Sequence, residues 1–183
     1  MQELKFIKSV EFFLINPYKE VYIRELAKKL KISPFATKKY ADILVKEGLI
    51  IDEKKANLRY LKANVTNLFY KYLKISYNLK QLIKSDLINF LKNNIVNVAS
   101  IVLFGSLAKA EDTEESDIDI LIIGKQKNLN LKDFEDRLKK EITLHFFSWS
   151  EWNSKAKEDH PFYYEIINQG IPLYGELPLI KWK

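Results

Sequence analysis

No cysteine occurs anywhere in the 183 residues, which excludes a disulfide framework and any thiolate metal site. No apolar run approaches the length needed to span a membrane. The first twenty residues, MQELKFIKSVEFFLINPYKE, mix acids among apolar residues and lack a small-residue cleavage pattern, so a soluble cytoplasmic protein is the expectation. Internal repeats and low-complexity segments are missing as well. What is there is a hydrophobic fraction of 47%, that of a globular protein, and enough chain for one good-sized domain or two small ones.

The two signs of charge are unevenly distributed along the chain. Residues 1–64 hold 14 Lys and Arg against 8 acids, residues 65–97 hold 5 against 1, and residues 98–183 hold 11 against 15. A basic front and an acidic back point to a polyanion-binding module joined to a part that handles metal or nucleotide.

The chain is organised around residues 101–123, IVLFGSLAKAEDTEESDIDILII. Ile101 to Phe104 is an apolar run that reads as a buried strand entering a turn at Gly105 and Ser106, and Ile118 to Ile123 reads as a second strand. Glycine at the turn lets a phosphate approach the backbone, and the Ser106 hydroxyl can donate to it. Strand alternation puts Asp117 and Asp119 on one face, with Ile118 and Ile120 on the other. Two hard oxygen ligands suit Mg²⁺, which keeps waters and is completed by substrate phosphates. Together these residues predict one site, with triphosphate on the Gly-Ser turn and metal on the aspartates.

This stretch resembles the signature of the nucleotidyltransferase superfamily related to DNA polymerase beta, in particular its minimal branch. There a strand ends in Gly-Ser and a spacer of roughly ten residues leads to Asp-apolar-Asp, places filled here by Gly105, Ser106, Asp117, Ile118 and Asp119. The spacer departs from the frequent Ala-Arg-Gly of the branch, having Ala108, Lys109 and Ala110, which keeps the charge and loses the glycine. The resemblance implies Asp117 and Asp119 as catalytic residues, Mg²⁺ or Mn²⁺ as cofactor, and Gly105, Ser106 and Lys109 as nucleotide-binding residues. It also implies a third carboxylate on the following strand. Ile142 to Phe147 is that strand by its pattern, but it offers Thr143 and His145 on one face. Only Glu141, in phase with them, could supply the carboxylate. His145 itself reads either as a general base or as a hydrogen-bonded strand histidine.

The front of the chain is read from its periodicity. Leu4, Ile7, Val10 and Leu14 predict a first helix, Ile23, Leu26, Ala27 and Leu30 a second, and Ser33-Pro34 caps a third that carries Thr37, Ala41 and Leu44 inward and ends at Gly48. Strand-like pieces Leu49–Asp52 and Leu58–Ala63 flank a polar turn, Glu53–Asn57. This order resembles a winged helix-turn-helix, whose third helix enters the major groove while the wing tracks phosphates. The resemblance assigns double-stranded DNA as partner, with Lys38, Lys39 and Lys46 on the helix and Lys54, Lys55 and Arg59 in the wing. Base-edge readers such as Arg or Asn are sparse on that helix.

Residues 65–95 lack both Gly and Pro, and Phe69, Leu73, Leu79, Leu82, Leu87 and Leu91 mark a helical connector, or a helix pair bent near Ser76–Asn78, whose stripe is a packing or homodimer surface. A helix with Leu131, Phe134 and Leu138 precedes the third strand. Pro161–Asn168 reads as a last helix, with Phe162, Tyr163, Tyr164 and Trp182 packing on the back of the sheet. The expectation is an α+β chain: a winged helix-turn-helix at 1–64, a connector at 65–97, and a nucleotidyltransferase fold with a small mixed sheet flanked by helices at 98–183. Two functions fit it. One is nucleoside monophosphate transfer from a nucleoside triphosphate to a hydroxyl acceptor. The other is a DNA-binding regulator or antitoxin that binds nucleotide, or a partner protein such as a toxin, without turnover.

Overall fold

The computed structural model describes residues 2–180, and Trp182 lies outside them. The chain divides into two compact units, residues 1–74 and 75–183. No helix among the described residues is long and apolar enough to cross a membrane.

In the first unit α1 (Gln2–Ile15), β1 (Val21–Tyr22), α2 (Ile23–Leu30), α3 (Pro34–Lys46), β2 (Ile50–Lys55) and β3 (Leu58–Ala63) follow one another. The strands form an antiparallel sheet in the order β1-β3-β2. Strand β1 has no counterpart in the sequence reading, because two residues show no alternation and gain strand character only from pairing with Leu61 and Tyr60. Helix α3 starts where expected: the Ser33 hydroxyl accepts from the Ala36 N–H at 3.2 Å, with Pro34 behind it. Thr37, Ala41 and Leu44 are its buried residues, and Gly48 follows at φ +72°, the left-handed conformation that stops a helix. The hairpin is tighter than its polar composition indicates. Only Ala56 and Asn57 form the turn, so Lys54 and Lys55 lie within β2.

The expected stripe on α1 is only half buried. Leu14 and Phe13 are inside, whereas Leu4 and Ile7 are exposed. The C-terminal carbonyls of this helix find donors 57 and 60 residues along the chain, with the Tyr70 hydroxyl on Phe13 O at 2.8 Å and the Lys74 ammonium on Leu14 O at 2.6 Å. Those donors belong to α4 (Leu68–Ser85), which runs unbroken through Ser76–Asn78, so of the two alternatives there the bend is absent. The break falls at Asp86, in the left-handed conformation at φ 65°, before α5 (Leu87–Asn94).

The second unit holds a four-stranded sheet in the order β6-β5-β4-β7. Its strands are β4 (Ser100–Phe104), β5 (Ile118–Ile123), β6 (Ile142–Phe147) and β7 (Ile171–Gly175). Strand β4 pairs antiparallel with β5 and β7, and β5 pairs parallel with β6, so the sheet is mixed. Helix α7 (Lys132–Leu138) carries the parallel crossover. On one face Ile101, Leu103, Ile118, Ile120, Ile122 and Ile142 pack with Leu87, Leu91 and Phe134. On the other, Val102, Phe104, Leu121 and Ile123 meet Trp152, Ala156, Tyr163 and Ile166 from α8 (Trp149–Glu158) and α9 (His160–Gln169). Burying a side chain such as Leu87 or Ile166 stabilises by about 1.5–3 kcal/mol each, so both faces hold the sheet.

Candidate functional site

Strand β4 delivers Phe104 opposite Asp119 of β5 and then turns at Gly105, from which the short helix α6 (Gly105–Lys109) opens. Gly105 has φ +69°, and a Cβ there would stand 2.5 Å from Asp119 Oδ2. The missing side chain therefore makes room for the Asp119 carboxylate. Asp119 shares its face with Leu121 and Ile123, under α8 and α9. The expected aromatic packing on the back of the sheet is thus corrected: Phe162 and Tyr163 cover the face that carries the aspartate, and Tyr164 is exposed.

Asp117 is exposed, one row outward from half-buried Asp119. The turn that presents it is held by Lys140, whose ammonium donates to the carbonyls of Thr113 and, at 3.0 Å, Ser116. The Ser116 hydroxyl accepts from the Thr113 N–H at 2.9 Å. On β6, Thr143 pairs with Asp119 in the parallel register, and His145 follows on the same face. His145 Nε2 lies 3.7 Å from Asp119 Oδ1, its ring 5.1 Å from that of Phe104. Glu141 is exposed, one residue before β6, and its carbonyl accepts from the Ile118 N–H at 2.8 Å. Continuing the register places it beside Asp117. Among the described residues no three His, Cys, Asp or Glu side chains converge to hold a metal, so Glu141 does not group with the two aspartates.

Burial pushes the Asp119 carboxyl up from its ordinary value; His145 opposes the rise, while Asp117 and Glu165 add to it. Asp119 with a second acid nearby offers oxygen donors of the kind that suit a divalent ion completed by phosphates. Lys109 is engaged elsewhere. Its ammonium lies 3.1 Å from Glu165 Oε1 and 3.7 Å from Glu111 Oε2, and the Glu165 hydrogen bond leads in raising its pKa. Glu165, on α9, is the site residue that sequence reasoning missed. No local spacing announces a partner 56 residues away.

A polymerase beta nucleotidyltransferase family model matches residues 85–177, just over half of the chain. The chain belongs to this nucleotidyltransferase family. No curated protein matches it. Among solved structures, a toxin–antitoxin MntA–HpeT mutant is 22% identical over 51% of this chain and 72% of its own, with a TM-score of 0.34. A second mutant of that pair is 20% identical over 50% and 72%, with a TM-score of 0.37. A toxin–antitoxin structure with AMP-PNP is 22% identical over 53% and 73%, with a TM-score of 0.35.

Outside the nucleotidyltransferase match, α3 presents a second candidate face. Phe35, Lys38, Lys39, Asp42, Ile43 and Lys46 recur at helical spacing and all are exposed. The wing residues differ in freedom. Arg59 Nε donates to Asp52 at 2.6 Å and its Nη1 to Asp42, so it ties β3 to β2 and α3. Burial works against its charge, but the two carboxylates outweigh burial and its pKa is raised. Lys55 pairs with Glu20 at 2.6 Å and with Glu53 at 3.4 Å. Lys54 is exposed beside Arg59 in the hairpin register.

Proposed function

We propose that the chain binds a nucleoside triphosphate with Mg²⁺ and transfers its nucleoside monophosphate to a hydroxyl acceptor. The observation that carries this reading is the Asp119 carboxylate seated against Gly105, which brings the acid and the Gly-Ser turn into one site. Asp117 and Asp119 would hold Mg²⁺ or Mn²⁺ with the triphosphate oxygens, and Glu141, which the continued register sets beside Asp117, would be the further carboxylate. The ion, when bound, supplies positive charge against the α-phosphate and the leaving pyrophosphate. Gly105 seats the Asp119 carboxylate beside the turn that would receive the phosphates, the Ser106 hydroxyl donates to them, and Lys109 turns from Glu165 to neutralise charge on the leaving group.

Thermal stability with each nucleoside triphosphate, with and without Mg²⁺, tests this. Ligand at about a hundred times its dissociation constant stabilises by roughly 2.7 kcal/mol. The expected shift needs metal and disappears in Asp117→Asn. No shift with any nucleotide sinks the reading.

We infer further that residues 1–64 are a winged helix that binds double-stranded DNA, residues 65–97 a connector, and residues 98–183 the nucleotidyltransferase domain. What supports this is the order of helix, short strand, two helices and hairpin, with three lysines on the open face of α3. Lys38→Glu with Lys39→Glu should weaken duplex binding at moderate salt, and unchanged binding removes DNA from the account.

One observation favours a second reading. Where the resemblance asks for a third carboxylate, β6 brings Thr143 beside Asp119 and His145 within 3.7 Å of it. A DNA-binding regulator or antitoxin that binds nucleotide or a partner protein without turnover fits that arrangement. A metal-dependent nucleotide shift with no pyrophosphate release from any acceptor class would select it.

A further inference from the structure

Phe35 is 83% exposed, the most exposed large apolar side chain among the described residues. It is not a core residue displaced from its place, since α3 already buries Thr37, Ala41 and Leu44 on the opposite side. It sits on the second residue of the helix, in a turn fixed by Pro34, by the Ser33 cap on the Ala36 N–H at 3.2 Å, and by the Thr37 hydroxyl on Ser33 O at 3.0 Å. The ring is therefore held out from a rigid platform, at low entropic cost to a partner.

Its surroundings say what that partner is. One turn along stand Lys38 and Lys39, and farther along Ile43 and Lys46, all exposed. The single acid of this stripe, Asp42, is tied to Arg59. The face is thus cationic with a lone aromatic at its leading end, rather than the contiguous apolar patch that an obligate protein partner covers. In the major groove the apolar group on the base edges is the 5-methyl of thymine, and the first turn of a recognition helix is the part that reaches base edges.

We propose that Phe35 selects thymine by packing its ring on the 5-methyl group in the major groove, with Lys38 and Lys39 fixing the helix on the flanking phosphates and base edges. This rests on the DNA-binding reading above and gives it a base preference where the helix lacks Arg or Asn.

The experiment selects duplexes from a random library with the full chain, then replaces each thymine of the best duplex in turn by deoxyuridine, which removes only the methyl group. In wild type, loss of the methyl at one thymine should lower affinity about three- to tenfold. Phe35→Ala should lose a similar factor on the thymine duplex and be indifferent to uridine there. Its melting temperature should match wild type, because the ring is exposed. Lys38→Ala, by contrast, should keep the uridine penalty while binding more weakly and with a shallower salt slope. Indifference of wild type to every uridine, or an undiminished uridine penalty in Phe35→Ala, overturns the proposal while leaving DNA binding intact. Failure to enrich any duplex overturns the DNA reading and this inference with it.

Discussion

Gly105 and Asp119 act as one unit, since the absent side chain of the first is the space occupied by the second. Gly105→Ala meets both a left-handed φ and a contact of 2.5 Å. It should lower stability by about 1–2 kcal/mol from the backbone term alone and displace the carboxylate. Denaturation together with loss of the metal-dependent nucleotide shift checks both effects. Asp119 carries a cost of its own. Its carboxyl is raised above the ordinary 3.8, chiefly by burial, so ionisation is harder in the folded chain than in the unfolded one. The sign follows: the folded state binds the proton more tightly, so the penalty is absent below pH 3.8 and fully present above the folded value. Stability contributed by this residue therefore falls as pH rises from about 3.8 through the folded value. Asp119→Asn should melt higher than wild type at neutral pH without divalent ion, lose that part of the pH dependence, and gain nothing from metal with nucleotide. A lower melting temperature at neutral pH would show that the contact with His145 outweighs burial.

At the scale of elements, Arg59 was expected to meet phosphates, yet the side chain joins β3 to β2 and α3 through Asp52 and Asp42. Arg59→Ala should cost about 1 kcal/mol or less per lost pair, given that the partners are partly exposed, and should lower the melting of residues 1–74. Lys54→Ala should leave melting unchanged and reduce the salt dependence of duplex binding. The reverse pattern would make Arg59 the phosphate contact. Elements with strong local signals were legible in the sequence: Ser33-Pro34 before α3, Gly48 after it, the apolar run into Gly105, and the apolar run of β5 from Ile118. Helix α8 was missed although its signal is present, since Ser148 and Glu151 form a reciprocal cap, with Ser148 N–H to Glu151 Oε2 at 2.7 Å and Glu151 N–H to Ser148 Oγ at 3.2 Å. Strand β1, the break at Asp86 and the Glu165 partner of Lys109 were not legible, because each depends on residues distant in the chain or on a backbone conformation that composition does not announce.

For the whole molecule, helix α4 is anchored by polar contacts within each of the two units. Near its start Tyr70 and Lys74 bond to the carbonyls of Phe13 and Leu14. Past the unit boundary, buried Asn78 donates to Asp112 Oδ1 at 2.8 Å and to Leu107 O at 3.2 Å. Each set closes within its own compact unit, so each unit has a core and a reason to unfold cooperatively by itself. Ligands should then act separately. On the proposed reading, nucleotide with metal would stabilise only the folded form of residues 75–183, whereas duplex DNA would stabilise residues 1–74. Calorimetry should resolve two transitions, one raised by nucleotide with Mg²⁺ and the other by duplex, with Asp117→Asn abolishing the first shift and Lys38→Glu with Lys39→Glu the second. A single transition raised by either ligand would mean that α4 transmits unfolding from one unit to the other.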